Sequence, residues 1–149
     1  MRDATNDRRG PLLSGLKLLI VDDDEDLRYV VSRRLRQLGA DVQDEGRLRQ
    51  VREKIGGWTP QVAVIDAHLP DGDGLAFGAA LLAELPDLRI IFLTGDADAM
   101  SAREDAPGRI WHLLKPVSLE ELQRTILRAC QGNLPHPAKA PAASAALVW

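Results

Sequence analysis

"KLLIVDDDEDL" runs from Lys17 to Leu27 and sets four apolar residues directly against five acids, Asp22 to Asp26. A short apolar run without polar interruption reads as a strand covered on both faces. Acids crowded at its end repel one another. Two carboxylates about 4 Å apart cost roughly 1 kcal/mol in bulk water, and nearer ~4 kcal/mol at a protein-surface dielectric. Either the acids splay into solvent at a helix start, or something positive sits among them. Asp24, Glu25 and Asp26 fit the first reading, because acids complement the positive end of a helix dipole. Asp22 and Asp23 need another reason.

The same short apolar pattern recurs along the chain. Strands are predicted at 16–21, 40–43, 61–66, 88–94 and 109–114, the first, third and fourth apolar on nearly consecutive residues. Between them, Leu27, Val30, Val31, Leu35 and Leu38 recur at helical spacing up to a stop at Gly39. Leu48, Val51 and Ile55 mark a second helix ended by Gly56-Gly57, and the Ala/Leu-rich stretch 74–86 a third that stops at Pro86. A fourth, over 96–109, has few large apolar residues and a break at Pro107-Gly108, so a short helix is expected there. Ser118 and Glu121 form a capping box for a fifth, with Leu119, Leu122, Ile126 and Leu127 on its buried face. Strands alternating with helices specify an α/β domain with a mainly parallel sheet. The domain is predicted over 16–130, after a flexible lead at 1–15 and before an Ala/Pro-rich, disordered tail at 131–149.

With 149 residues, 45% of them hydrophobic, the chain can build one sizeable core. A net charge of −3 argues against a dedicated nucleic-acid surface. Arg33, Arg34, Arg36, Arg47, Arg49 and Arg52 read as solvated helix faces. The single cysteine, Cys130, excludes an internal disulfide and fits a reducing compartment; late in the last helix, it reads as a small core residue. His136, in the tail, reads as inert. The first residues lack the apolar segment of a secretory signal, and no apolar run approaches the ~18 residues of a membrane span. A cytoplasmic protein is expected.

In parallel sheets, ligands bind beyond the carboxyl ends of the strands. Here those ends deliver Asp22-Asp23, Asp66, Thr94 and, past the last strand, Lys115-Pro116. Their convergence supplies the missing reason for Asp22 and Asp23. Three carboxylates on neighbouring strand ends suit a hard divalent cation such as Mg²⁺, which is held by one or two carboxylates with waters and phosphate oxygens. The "DGDG" at 71–74 superficially resembles a calcium loop, but the closing Glu of such a loop is missing and its glycines suit a turn. Neither a P-loop nor a G-x-G-x-x-G is present.

"LLIVDDD", "VAVIDAHLPDGDG", "IIFLTG" and "LLKP", in that order, resemble the receiver domains of two-component response regulators over residues 16–130. The resemblance implies a flavodoxin-like (βα)5 three-layer sandwich with a parallel five-stranded sheet in the order 2-1-3-4-5. It implies that Asp66 is the phospho-acceptor and that Mg²⁺ is held by Asp23 and Asp66 directly, by Asp22 through water, and by the backbone carbonyl of His68. Lys115 is expected to pair with Asp66 and then with a phosphoryl oxygen, aimed by a cis peptide before Pro116. Thr94 is expected to donate its hydroxyl to the phosphoryl group, with Gly95 leaving room for the donor. The side chains of His68 and Asp96 border the site, either tuning phosphate lifetime or standing by.

Such a chain is a signalling phospho-acceptor rather than an enzyme, promoting only its own phosphorylation and dephosphorylation. Its expected partners are a sensor histidine kinase or histidine phosphotransfer protein and a downstream protein, with no nucleic acid and no membrane. With no output domain read among these residues, a stand-alone regulator is expected. A phosphorelay intermediate and a degenerate receiver acting as a constitutive interaction module are the alternatives. A phosphohydrolase of the haloacid-dehalogenase type resembles D-x-D at its nucleophile, and Asp66-Ala67-His68 lacks the second acid. One departure stands out: three residues before the lysine, where the family carries Tyr or Phe as a rotameric switch, this chain has His112. Histidine titrates near neutral pH, so a pH-sensitive switch is expected there.

Overall fold

The computed structural model describes residues 12–96 and 108–131. Along the chain run β1 (Lys17–Val21), α1 (Glu25–Gln37), β2 (Asp41–Glu45), α2 (Leu48–Lys54), β3 (Val62–Asp66), α3 (Gly74–Glu84), β4 (Arg89–Thr94), β5 (Ile110–Leu114) and α4 (Leu119–Gln131). A two-residue hairpin, His68–Leu69 against Gly72–Asp73, sits between β3 and α3. The five strands form one parallel sheet in the order β2-β1-β3-β4-β5. This is the flavodoxin-like arrangement expected.

Strand composition follows position in the sheet. The three central strands are buried almost throughout, as their continuous apolar runs require, whereas the edge strands β2 and β5 are half exposed. One face carries Leu18, Ile20, Val62, Val64, Ile91, Leu93 and Trp111 against Val31 and Leu35 of α1 and Leu122 and Ile126 of α4. The other carries Leu19, Val21, Ala63, Ile65, Ile90 and Phe92 against α2 and α3. Each fully buried aliphatic side chain contributes about 1.5–3 kcal/mol over leaving it in water.

Helix ends are closed by side chains. Asp24 caps α1 by accepting the Leu27 N–H (3.1 Å), and Asp73 caps α3 by accepting the Leu75 N–H (2.9 Å). Ser118 accepts the Glu121 N–H (3.0 Å), as the capping box predicts for α4. α2 begins at Arg47 without a cap of its own. Asp71 reaches over from the β3–α3 connection and accepts the Leu48 N–H (3.0 Å) and Arg49 N–H (3.2 Å). Arg109, opening β5, donates to the carbonyls of Leu82 (3.1 Å) and Leu85 (2.9 Å) at the end of α3.

The structure corrects several expectations. Leu13, predicted to lie in a flexible lead, is 3% exposed within the core, and its N–H donates to the Leu38 carbonyl at 2.7 Å. The packed unit therefore begins before residue 16. Val30, one of the apolar residues at helical spacing in α1, is 43% exposed; Ser32 takes an inward place beside Val31 instead. Cys130 is exposed rather than core. The six arginines are exposed, as expected; among them Arg36 also donates to the Val42 carbonyl (2.9 Å), and Arg52 pairs with Glu84 (2.6 Å) while lying over the Phe77 ring. Most of the predicted fourth helix, at 97–107, falls outside the described residues, as do residues 1–11 of the lead and 132–149 of the tail. Among the described residues no helix is long and apolar enough to cross a membrane.

Candidate functional site

Each central strand ends in a polar residue that the fold keeps buried. Asp22, just past β1, is 2% exposed; Asp66, the last residue of β3, 5%; Thr94, the last of β4, 1%. Charges buried this deeply need partners. Lys115 Nζ lies 3.1 Å from Asp66 Oδ2 and 3.9 Å from Asp22 Oδ2. One carboxylate oxygen from each of Asp22, Asp23 and Asp66 lies within 4.8 Å of the others, with Asp23 exposed at the mouth. Among the described residues, the ion pairs to this cluster come from Lys115.

Backbone geometry holds each group in place. The Asp22 N–H donates to the Glu45 carbonyl (3.1 Å), and Asp22 Oδ1 accepts the Asp24 N–H (2.8 Å). Asp66 Oδ1 accepts the His68 N–H (3.1 Å), so the connection after β3 folds back over the acid it has just delivered. Thr94 Oγ1 accepts the Asp96 N–H (3.0 Å), which leaves its O–H to donate. The Lys115 N–H donates to the Thr94 carbonyl (2.7 Å), extending the β4–β5 ladder past the last strand residue. The Lys115–Pro116 bond is cis.

The close approach of α3 to β3 depends on Gly74. A Cβ there would lie 2.0 Å from the Asp66 carbonyl oxygen, and the Gly74 N–H donates to the Ala67 carbonyl (2.9 Å). The sequence suggested a turn glycine at this position; the structure adds that only a bare backbone fits against Asp66. Gly95 has open space around it. The side chain of His68 is exposed, as is Asp96.

His112 stands in register with Phe92, and the two rings stack with centroids 5.5 Å apart at 29°. Phe92 in turn occupies the gap left by Gly78 of α3. Sequence reasoning missed Arg28 altogether. Its Nη1 donates to the Asp22 carbonyl at 2.7 Å and its Nε to Asp44 Oδ1 at 2.9 Å. An arginine one turn into an exposed helix gives no sequence signal of that role.

The oxygen-only donor set fits Mg²⁺ better than metals that favour nitrogen or sulfur. Asp22, Asp23 and Asp66 are the residues able to hold it. Away from this rim, Cys130 borders a cavity of ≈ 340 Å³ lined by Leu12, Leu13, Leu16, Gln61 and Leu127 among others. Although Cys130 is exposed, desolvation by the apolar residues around it pushes its thiol above the usual range.

Residues 18–127 match the response regulator receiver domain family. The DNA-binding transcriptional regulator NtrC of Azospirillum brasilense is 30% identical over 131 residues, which are 87% of this chain and 27% of that protein. The DNA-binding transcriptional activator DevR/DosR of Mycobacterium tuberculosis is 33% identical over 118 residues, 74% of this chain and 52% of its own length. The chain thus spans about a quarter to a half of the length of these relatives. Among solved structures, the chemotaxis response regulator CheY4 of Vibrio cholerae aligns with a TM-score of 0.68 at 26% identity, covering 78% of this chain and 99% of that one. From strand order, buried acids and a match over most of its length, the chain belongs to the response regulator receiver domain family.

Proposed function

We propose that this receiver accepts a phosphoryl group from a phosphohistidine protein onto Asp66, with Mg²⁺ at the acidic rim, and thereby switches its binding to a protein partner. One observation carries the reading: a buried Asp66 carboxylate has Lys115 at 3.1 Å and the carboxylates of Asp22 and Asp23 within 4.8 Å. A carboxylate is ionised at neutral pH, so as a nucleophile it needs no base. Its obstacle is the negative charge of the incoming group. Phosphoryl transfer passes through a loose transition state, which asks for positioning and charge neutralisation rather than proton removal. Asp22, Asp23, Asp66 and the His68 carbonyl would hold Mg²⁺, which would supply positive charge to offset these carboxylates.

The chain's own groups do the rest. An Asp66 oxygen attacks phosphorus as the donor's P–N bond breaks, and the leaving imidazole takes a proton from solvent. The His68 N–H, 3.1 Å from Asp66 Oδ1, steadies the nucleophile. Lys115 then transfers its contact from Asp66 to a phosphoryl oxygen. Thr94 turns its O–H toward the same group, pulling on the Asp96 N–H that its oxygen accepts. Gly95 offers no side chain to obstruct the donor. His112, stacked on Phe92, carries the change from the Thr94 side of the sheet to its packing on α3.

The test is incubation of the protein with acetyl phosphate and Mg²⁺, read by intact mass. A gain of one phosphoryl group that disappears in Asp66→Asn is expected. A wild-type protein that binds Mg²⁺ yet gains no mass overturns the phospho-acceptor reading.

A further inference from the structure

Asp22 is engaged through its backbone as well as its side chain. Its N–H is taken by Glu45, its Oδ1 by the Asp24 N–H, and its carbonyl oxygen by Arg28 Nη1 at 2.7 Å. Arg28 itself is half-buried, and Asp44 anchors it at Nε, 2.9 Å away, while also accepting Arg36 Nη2 at 3.3 Å. Position 46 completes the arrangement. A Cβ on Gly46 would fall 2.8 Å from Arg28 Nη1, so the guanidinium lies in a slot that only glycine leaves open. One planar group thereby ties α1, β2 and the peptide following β1 together.

We propose that Arg28, anchored by Asp44 in the slot beside Gly46, is a positioning residue for the Mg²⁺ pocket, setting metal affinity by fixing the peptide that carries Asp22. The inference rests on the Mg²⁺ reading of the rim. Its physical basis is the repulsion among Asp22, Asp23 and Asp66. Before the cation binds, a loosely held Asp22 would swing away from the other two carboxylates and relax the pocket. The hydrogen bond from Arg28 removes that escape, so the ligands stay poised for an ion. A guanidinium has donors in a rigid plane and can serve a carbonyl and a carboxylate at once; an ammonium on a flexible stem cannot hold the same geometry.

Arg28 also brings a positive charge near the pocket, and that effect has the opposite sign. By Coulomb's law alone, removing the charge favours a cation; removing the hydrogen bond disfavours it. Gly46→Ala separates the two. The added methyl crowds the far end of a flexible side chain and meets the Asp22 carbonyl only at van der Waals distance, so folding is little disturbed, but the guanidinium must shift from its present place at that carbonyl with its charge intact.

Calorimetric Mg²⁺ titrations and metal-free melting curves of the wild type, Gly46→Ala, Arg28→Lys and Arg28→Ala decide the matter. Gly46→Ala and Arg28→Lys are each expected to bind Mg²⁺ about tenfold more weakly, the low end of what loss of an outer-shell partner does to metal affinity. Metal-free Gly46→Ala should melt close to the wild type. Equal affinity in Gly46→Ala and the wild type sinks the proposal, because the charge of Arg28 is then its whole effect. Arg28→Ala, which also loses the opposing charge, is expected to bind Mg²⁺ more tightly than Gly46→Ala, and weaker binding would overturn the charge argument. A wild type that shows no Mg²⁺ heat and no melting response overturns the cation reading of the rim, and this inference with it.

Discussion

The same strands end in opposite chemistry. At their carboxyl ends β1, β3 and β4 deliver Asp22, Asp66 and Thr94, all buried, with Lys115 alongside. At the amino ends of β1 and β3 lie Leu13, Leu16 and Gln61, around the cavity that Leu127 of α4 helps to line. There the polar groups serve only the backbone: Lys17 N–H donates to Gln61 Oε1 (3.0 Å) and Gln61 N–H to the Lys17 carbonyl (2.8 Å). No charge is buried among the residues lining that pole. Burying charge is costly even when it is paired, so a chain selected for stability alone would finish both poles in the second way. On the proposed function, the carboxyl rim is where the fold trades stability for chemistry, and substitutions at the two poles should separate the quantities.

The largest effect is expected from Gly74→Ala. The new Cβ would stand 2.0 Å from the Asp66 carbonyl oxygen and 3.1 Å from Ala67 Cα, backbone against backbone, with no flexible side chain to yield. A loss of about 3 kcal/mol is expected, the upper range for overpacking, measured by denaturant unfolding. Because Asp66 must move, phosphorylation from acetyl phosphate should fall further than the folded fraction does. Loss of stability with unchanged phosphorylation would show that α3 does not set the position of Asp66.

Leu13→Ala strikes the other pole. Leu13 belongs to the core, and truncating a buried leucine costs about 2–5 kcal/mol, here near ~2 because the side chain borders an existing cavity. Mg²⁺ affinity should be unchanged. A Leu13→Ala protein with weakened Mg²⁺ binding would break the contrast between the poles, showing that packing at one end tunes the site at the other.

Asp23→Ala comes third in stability and first in information. Asp23 is the exposed member of the acidic trio, so its loss leaves no buried polar group stranded. The metal-free protein should melt slightly higher as repulsion falls, and the rise in melting temperature on adding Mg²⁺, a mass-action effect, should vanish. A mutant that keeps the wild-type Mg²⁺ response would remove Asp23 from the ligand set.

These contrasts also explain what the sequence made legible. Continuous apolar runs at 18–21, 62–65 and 90–93 announced buried central strands, and the acids, threonine and lysine at their ends announced the rim, because both signals are local. Leu13 was misassigned because, with only Leu12 beside it between Gly10-Pro11 and Gly15, it belongs to no periodic run, and only the Leu38 carbonyl and the core around it show that it packs. Val30 satisfied helical periodicity yet faces outward, since Val31 and Ser32 fill the space under α1. Arg28, Gly46 and Asp71 were silent for a shared reason. Their partners lie on other elements, 6 to 23 residues away for Arg28 and Asp71, and no local pattern encodes them.

Asp71 gives the smallest and most specific prediction. It lies on the connection that follows Asp66 and caps α2 across the chain, accepting the Leu48 N–H and the Arg49 N–H. Those hydrogen bonds, that of Leu48 foremost, hold its carboxyl below the usual carboxylate range. A carboxyl whose value is depressed by folding stabilises the native state above the ordinary Asp value of about 4, and the contribution is lost as pH falls through the depressed value. Asp71→Asn keeps an oxygen able to accept one N–H but discards the charge. Its melting temperature should therefore sit slightly below the wild type at neutral pH, with the gap closing below about pH 4 as the wild-type carboxyl protonates. The other acids titrate over the same range, so the difference between the two proteins, rather than either curve, carries the information. A gap of equal size at pH 7 and pH 3 would mean that the Asp71 charge contributes nothing, and that α2 is fixed to the connection after Asp66 by neutral contacts alone.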